Sequence, residues 1–268
     1  MTDARYSRAV GPLRRREFLG VAGVAGLMLA TGCSSKGSGD SAPKSVTVKH
    51  IFGETTIAAP PKRVVSAGFT EQDDLLAVGV VPVAVTNWFG DQPFGVWPWA
   101  QPRLGTSRPV VLNLDNGIQV DQIARTKPDL IVAVNAGLDA DTYQKLTAIA
   151  PTIAQSGDDA FFEPWKDQAT AVGTAVFQAD TMRQLITDVD TKFADVAKNN
   201  AGFKDRKALL LAGSFFGGTL TATLPGWRTD FLTAMGLQIP DSIARFAVDD
   251  HRAALPRARL GQIIAWSR

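Results

Sequence analysis

The sequence predicts an α/β protein whose two lobes carry parallel-type sheets and are joined by one long helix. From Val46 onward, short β-rich apolar runs alternate with amphipathic stretches, as in a sheet covered by helices. Leu130-Ile131-Val132-Ala133-Val134 is apolar without alternation, which marks a strand buried on both faces. Between two β-containing halves, residues 180–199 place Met182, Leu185, Ile186, Val189, Phe193 and Val196 on one helical face. That helix would be on the order of 30 Å long and could serve as a core helix or as a strut between lobes.

The elements follow in order. Val46 to His50 and Thr55 to Ile57 flank Gly53 as a hairpin, and Val64-Val65-Ser66-Ala67 is the first strand of a sheet. Thr70 with Asp73 resembles a capping box opening a helix through Leu75 and Leu76, which Gly79 stops. A strand is expected over residues 80–85, a short helix over 120–126 and a strand over 130–134. A helix over about 140–149 and a strand near Ile153 complete the first lobe, residues 46–177. After the inter-lobe helix, 178–200, the second lobe spans 201–268. It has a strand over 208–212, a turn over 213–218, a strand over 220–223 and a helix over 229–235 ended by Gly236. Two strands make this lobe incomplete beside the first.

The first 32 residues are an address. Arg14-Arg15-Arg16-Glu17-Phe18-Leu19 precedes an apolar run over residues 19–30, the layout of a signal peptide. At about 1.5 Å per residue the run reaches roughly 18 Å, short of the ~30 Å a spanning helix must cross. Ala30-Thr31-Gly32-Cys33 resembles a lipobox, so Cys33, the single cysteine, is expected to be lipidated, with residues 33–45 as a Ser/Gly/Pro/Lys tether. The paired arginines resemble a twin-arginine signal, with Sec export as the alternative. Export would leave the chain anchored to the membrane, facing periplasm or cell wall.

Of 28 Lys and Arg residues, five arginines precede Cys33, as do two of the 26 acidic residues, which leaves 23 against 24 in the mature part. This near-neutral body has no basic patch interleaved with aromatics, so nucleic acid is not an expected partner.

Pro61-Lys62-Arg63-Val64-Val65-Ser66 with Thr70-Glu71 and Leu75-Leu76-Ala77-Val78-Gly79, then Ile123-Ala124 with Lys127-Pro128-Asp129-Leu130-Ile131-Val132, resembles the ferric-siderophore, iron-dicitrate and vitamin B12 group of periplasmic binding proteins. The resemblance implies a class III fold that captures a ferric chelate as a monomer and delivers it to an ABC permease driven by its ATPase. It further implies slight closure about the long helix, and carboxylates on the lobe tips that meet permease arginines, for which Glu71 and Asp230 are candidates. Family members continue for about another half lobe, which implies a chain truncated at its carboxyl end.

The donor inventory bears on the cargo. Beyond Cys33 there are only His50, His251 and Tyr143, too few for a His-rich zinc site or a phenolate iron site. Iron would arrive wrapped by an organic chelator, with no intrinsic cofactor. Flat side chains and guanidinium groups suit such a shell. Trp88, Phe89, Trp97 and Trp99 crowd the loop after the strand ending near Val85, Phe69 follows the preceding strand, and Asn135 follows residues 130–134. Parallel sheets present these positions to a cleft, although the aromatics could instead form a satellite core. Phe215 and Trp227 would face them from the second lobe, and Arg245, His251 and Arg252 are candidates for anionic groups. Haem bound through His251, or an envelope interaction role, is the alternative. An enzyme is not expected: there is no Gly-x-Ser-x-Gly elbow, and Ser214 would have only His251 as its base.

Overall fold

The computed structural model describes residues 45–216 and 218–256, the side chains of 213–216 excluded. The leader, Cys33, its tether and the Phe215 side chain therefore lie outside the described residues.

Strands β1 (Val46–His50) and β2 (Gly53–Ile57) form the expected antiparallel hairpin. Five further strands make one parallel sheet: β3 (Val64–Ser66), β4 (Ala84–Thr86), β5 (Val110–Leu112), β6 (Leu130–Ala133) and β7 (Thr152–Ala154), in the order β5-β4-β3-β6-β7. The residues of β3, β4, β6 and β7 are all buried, which accounts for their lack of alternation. One face packs on α2 (Val120–Arg125) and α3 (Ala140–Thr147), with Val65, Ile131, Ile123 and Leu146 in that core. The other face sets Val64, Leu130 and Ile153 against Leu75 of α1 (Glu71–Ala77) and Val172 of α4 (Trp165–Ala175). The chain builds outward from β3 through β4 to β5 and then returns to β6 on the opposite side of β3. This reversal opens a crevice at the carboxyl ends of β3 and β6.

Helix α5 (Ala179–Asn199, 21 residues, about 31 Å) carries the predicted apolar face. It touches α4 of the first lobe, where a Cβ on Gly173 would lie 2.5 Å from Met182 Cβ. It also meets α6 (Asp230–Ala234) of the second lobe, through Phe193 and Phe231 at 6.3 Å between centroids. Both lobes are therefore fastened to one helix.

The second lobe differs from expectation. Strands β8 (Leu211–Phe216), β9 (Thr219–Thr223) and β10 (Arg252–Pro256) form an antiparallel sheet in the order β10-β9-β8, not a parallel one. Only residues 217 and 218 join β8 to β9, too short a link for the crossover that parallel pairing needs. Residues 213–216, expected to turn, continue the strand, and β10 is a third strand that the sequence reading missed.

Smaller differences have local causes. The expected strand over 80–85 pairs only from Ala84, because Val80 N–H turns back to Leu75 O and Pro82 has no N–H to offer. No capping box forms at α1: the Thr70 hydroxyl is taken by Asn135 and Gln168 instead. Helix α4 and the three-residue strand β5 were not anticipated.

Candidate ligand-binding site

Four of the five parallel strands end in loops that meet along the crevice. The loop after β3 supplies Phe69, that after β4 Trp88 and Phe89, that after β6 Asn135, and that after β7 Phe161 and Phe162. Their rings form a continuous row. Trp97 and Trp99 stack 5.1 Å apart and nearly parallel, and Phe89 sets its edge against Trp97 at 5.0 Å. Trp88 lies 4.5 Å from Phe89, 5.4 Å from Phe162 and 6.0 Å from Phe69, which stacks on Phe161 at 5.6 Å. Trp88, Phe89, Trp99, Phe161 and Phe162 keep 37–68% of their surface in solvent. The satellite core beneath this loop is made by other residues: Val85, Val96, Ala100 and Leu104, with Phe94 against them.

Behind the row, polar groups tie the loops together. Asn135 is fully buried. Its backbone N–H donates to Glu71 Oε1 at 2.8 Å, its side-chain Nδ2 donates to Thr70 Oγ1 at 2.9 Å, and its Oδ1 accepts Phe162 N–H at 2.9 Å. Phe69 N–H donates to Asn135 O at 3.1 Å. Gly68 permits this approach, since a Cβ there would fall 2.3 Å from Glu71 Oε1 and 2.5 Å from the Asn135 carbonyl. Asn135 is thus enclosed, with each polar end of its amide engaged by a neighbouring loop. The loop bearing Phe161 and Phe162 is pinned again where Glu163 Oε2 accepts from Ser156 N at 2.6 Å and Ser156 Oγ at 2.7 Å.

Burial dominates the electrostatics here. It raises Glu71 to about 7 despite the backbone N–H groups pointing at it. Asp74 is also raised to about 7, first by burial and then by the neighbouring Glu71 and Asp73, while Gln168 Nε2 donates to it at 2.7 Å. Asp73 is raised by burial too, and accepts the Trp99 indole N–H at 3.0 Å. Glu71, expected as a tip carboxylate for permease arginines, is wholly buried and serves the crevice instead. Asp230 is exposed in the first turn of α6.

The second lobe contributes Trp227 and Arg228. The guanidinium lies 4.2 Å over the Trp227 ring and its Nη2 donates to Phe162 O at 3.4 Å, while its Nη1 is buried without a protein partner. Beside it opens a cavity of about 670 Å³ lined by Trp165, Asp190, Phe193, Trp227, Arg228 and Asp230 among others, with no residue of the ring row on its wall. The three predicted cationic residues have contacts of their own. Arg245 lies over Phe246 at 5.2 Å, and Arg252 Nε is paired with Asp249 Oδ2 at 2.7 Å. His251, exposed beside it, gives its backbone N–H to Asp249. These donors hold the Asp249 carboxyl below its usual range, the His251 N–H foremost.

Sequence reasoning missed Phe161, Phe162 and Arg228. The two phenylalanines follow a parallel strand as Phe69 and Trp88 do, so the strand-end rule applied at β7 would have found them. Arg228 carried no such signal, because its value lies in packing against a loop of the other lobe. Among the described residues, no group of three or more His, Cys, Asp or Glu could hold a metal ion. His50 is buried against Thr55 and Tyr143 at the back of the sheet.

The fold has counterparts. A periplasmic solute-binding protein of Mycobacterium smegmatis superposes with a TM-score of 0.76 at 59% identity, covering 84% of this chain and 75% of that one. Staphylococcus aureus SirA, solved with staphyloferrin B, gives 0.64 at 25% identity over 78% of this chain and 70% of that one. The probable siderophore-binding lipoprotein YfiY of Bacillus subtilis is 34% identical over 190 residues, 68% of this chain and 55% of that protein. The chain thus spans about half the length of the curated relatives it matches. With the periplasmic binding protein model matching residues 64–260, over the parallel sheet, the long helix and the second-lobe strands, this chain belongs to the periplasmic binding protein family.

Proposed function

We propose that this chain is the substrate-binding lipoprotein of an ABC importer, exported and anchored through Cys33, and that it captures an anionic ferric chelate for delivery to a membrane permease. The ligand contacts are Phe69, Trp88, Phe89, Trp97, Trp99, Phe161 and Phe162 on one side and Trp227 with Arg228 on the other. One observation carries this reading: an exposed row of rings ends beside a guanidinium whose buried Nη1 has no partner. The rings suit the flat or apolar shell of a chelator, and the unpartnered N–H suits a carboxylate or other anionic oxygen. The scarcity of His, Cys and Tyr in the sequence favours iron arriving already wrapped, as cargo. The likeness to YfiY, a probable siderophore-binding lipoprotein, and to SirA solved with staphyloferrin B supports a siderophore as the wrapping. The role is binding, not catalysis.

Titrating the purified chain with ferric citrate, a ferric trihydroxamate and haem, followed by tryptophan quenching, tests the reading. Saturable quenching by at least one non-haem chelate is expected, weakened at least tenfold by Arg228→Ala. Saturation by haem alone, or an unchanged response in Arg228→Ala, contradicts it.

A further inference from the structure

We propose that Asn135 is the positioning residue of this binding wall: one buried side chain on the loop after β6 sets the ring-bearing loops after β3 and β7, and through Phe162 it sets Arg228 as well. The inference rests on the ligand-binding reading above, and goes beyond it by assigning the wall's shape to a residue that touches no ligand.

Three observations carry it. The first is how the two ends of the Asn135 amide are used. Its acceptor end holds the loop after β7 through Phe162 N–H at 2.9 Å, and its donor end holds the loop after β3 through Thr70 Oγ1 at 2.9 Å. The Thr70 hydroxyl in turn donates to Gln168 Oε1 at 3.2 Å, so it already has a use for its proton and is set to accept from an amide. An aspartate has the acceptor and not the donor; a leucine has neither. Of the side chains of this size, only an asparagine satisfies both neighbours.

The second is the backbone of Phe162, which has φ of +58°, a left-handed conformation uncommon for a bulky residue. Such a conformation persists where its surroundings over-determine it. Here Asn135 Oδ1 holds the N–H of Phe162, and Arg228 Nη2 donates to its carbonyl at 3.4 Å. The same peptide segment therefore presents the ring to the row and joins the first lobe to the cation of the second.

The third is steric. Asn135 is followed at Gly137 by a φ of +64°, and a Cβ there would lie 2.2 Å from the Phe161 ring. Gly137 N–H donates to Ala160 O at 3.0 Å. The loop carrying Asn135 is thus shaped to receive the Phe161 ring on one side while its amide fixes Phe162. If Asn135 released Phe162, the Phe162 ring would lose its place beside Trp88, and Arg228 would lose its acceptor.

The test compares Asn135→Leu, Asn135→Asp and Thr70→Val with the unaltered chain by three measurements: thermal midpoint, near-ultraviolet circular dichroism of the aromatic row, and affinity for ferric citrate and a ferric trihydroxamate. All three variants are expected to remain folded with an altered near-ultraviolet spectrum. Affinity should fall tenfold or more in Asn135→Leu and less in the two that keep the Phe162 contact. Should Asn135→Leu not fold, Asn135→Asp and Thr70→Val together decide the matter: each loses the donor-end contact from a different side, and only Thr70→Val also loses the bond to Gln168. Wild-type spectra and wild-type affinity in the folded variants overturn the inference. Should the unaltered chain bind neither chelate, the ligand reading fails by itself, and the spectra of the free variants still decide whether Asn135 sets the rings.

Discussion

Replacing Glu71 by Gln should remove a specific pH dependence from the stability of the first lobe. The Glu71 carboxyl is fully buried, and burial raises it from 4.5 to about 7. The native state therefore holds a proton over an interval where the unfolded chain has released it. Stability from this group is complete below pH 4.5 and is lost as pH rises through about 7, the reverse of an ion-paired carboxylate. A shift of this size, at about 1.4 kcal/mol per unit, corresponds to about 3 kcal/mol between pH 4.5 and 8. Asp74, raised to about 7 mainly by burial, and Asp73 and Glu163, also raised by burial, add to the same drop, whereas His50, lowered by burial, opposes it, so the Glu71 contribution is read from the difference between wild type and Glu71→Gln and not from the wild-type drop alone. The Glu71→Gln amide cannot ionise and keeps an acceptor for Asn135 N–H, so the variant should lose about 3 kcal/mol of the drop seen between pH 5 and pH 8. Urea unfolding followed by tryptophan fluorescence at four pH values, with a constant m-value, measures this directly. A variant that keeps the whole wild-type drop would refute the reasoning.

Other substitutions separate binding from folding. Trp88→Ala should weaken chelate binding at least tenfold and alter stability by no more than about 1 kcal/mol, because much of the ring is already in solvent. Arg252→Ala should leave affinity unchanged in the same titration, since that side chain is paired with Asp249 on its own turn. Gly68→Ala, whose Cβ would meet Glu71 and the Asn135 carbonyl at 2.3–2.5 Å, should cost more than about 2 kcal/mol by urea unfolding. Leu130→Ala, in the centre of the parallel sheet, should cost about 2–5 kcal/mol without changing the pH response.

The parallel sheet was legible because both its faces are covered: runs such as Leu130 to Ala133 have no polar residues to confuse the reading. Helix α5 was legible from a single apolar face sustained over six residues. The second lobe was less so. Its strands Leu211–Phe216 and Thr219–Thr223 contain Gly, Ser and Thr, which read as a turn or as weak strand, and β10 is recognisable only through its pairing with β9. At the site, Phe69, Trp88, Phe89, Trp97 and Trp99 followed from the rule that strand ends face the crevice. The arginine did not. Arg245, Arg252 and Arg228 are alike as residue types, and only the fold distinguishes the one resting on Trp227 beside Phe162.

Iron anomalous scattering from a crystal of the chain grown with a saturating ferric trihydroxamate bears most directly on the central claim. The account predicts one peak against the ring row on the side of Arg228, with chelator atoms against Trp88 and Phe162 and no protein side chain on the metal. Iron held by histidine or carboxylate side chains, or a chelate seated away from the rings, would contradict it.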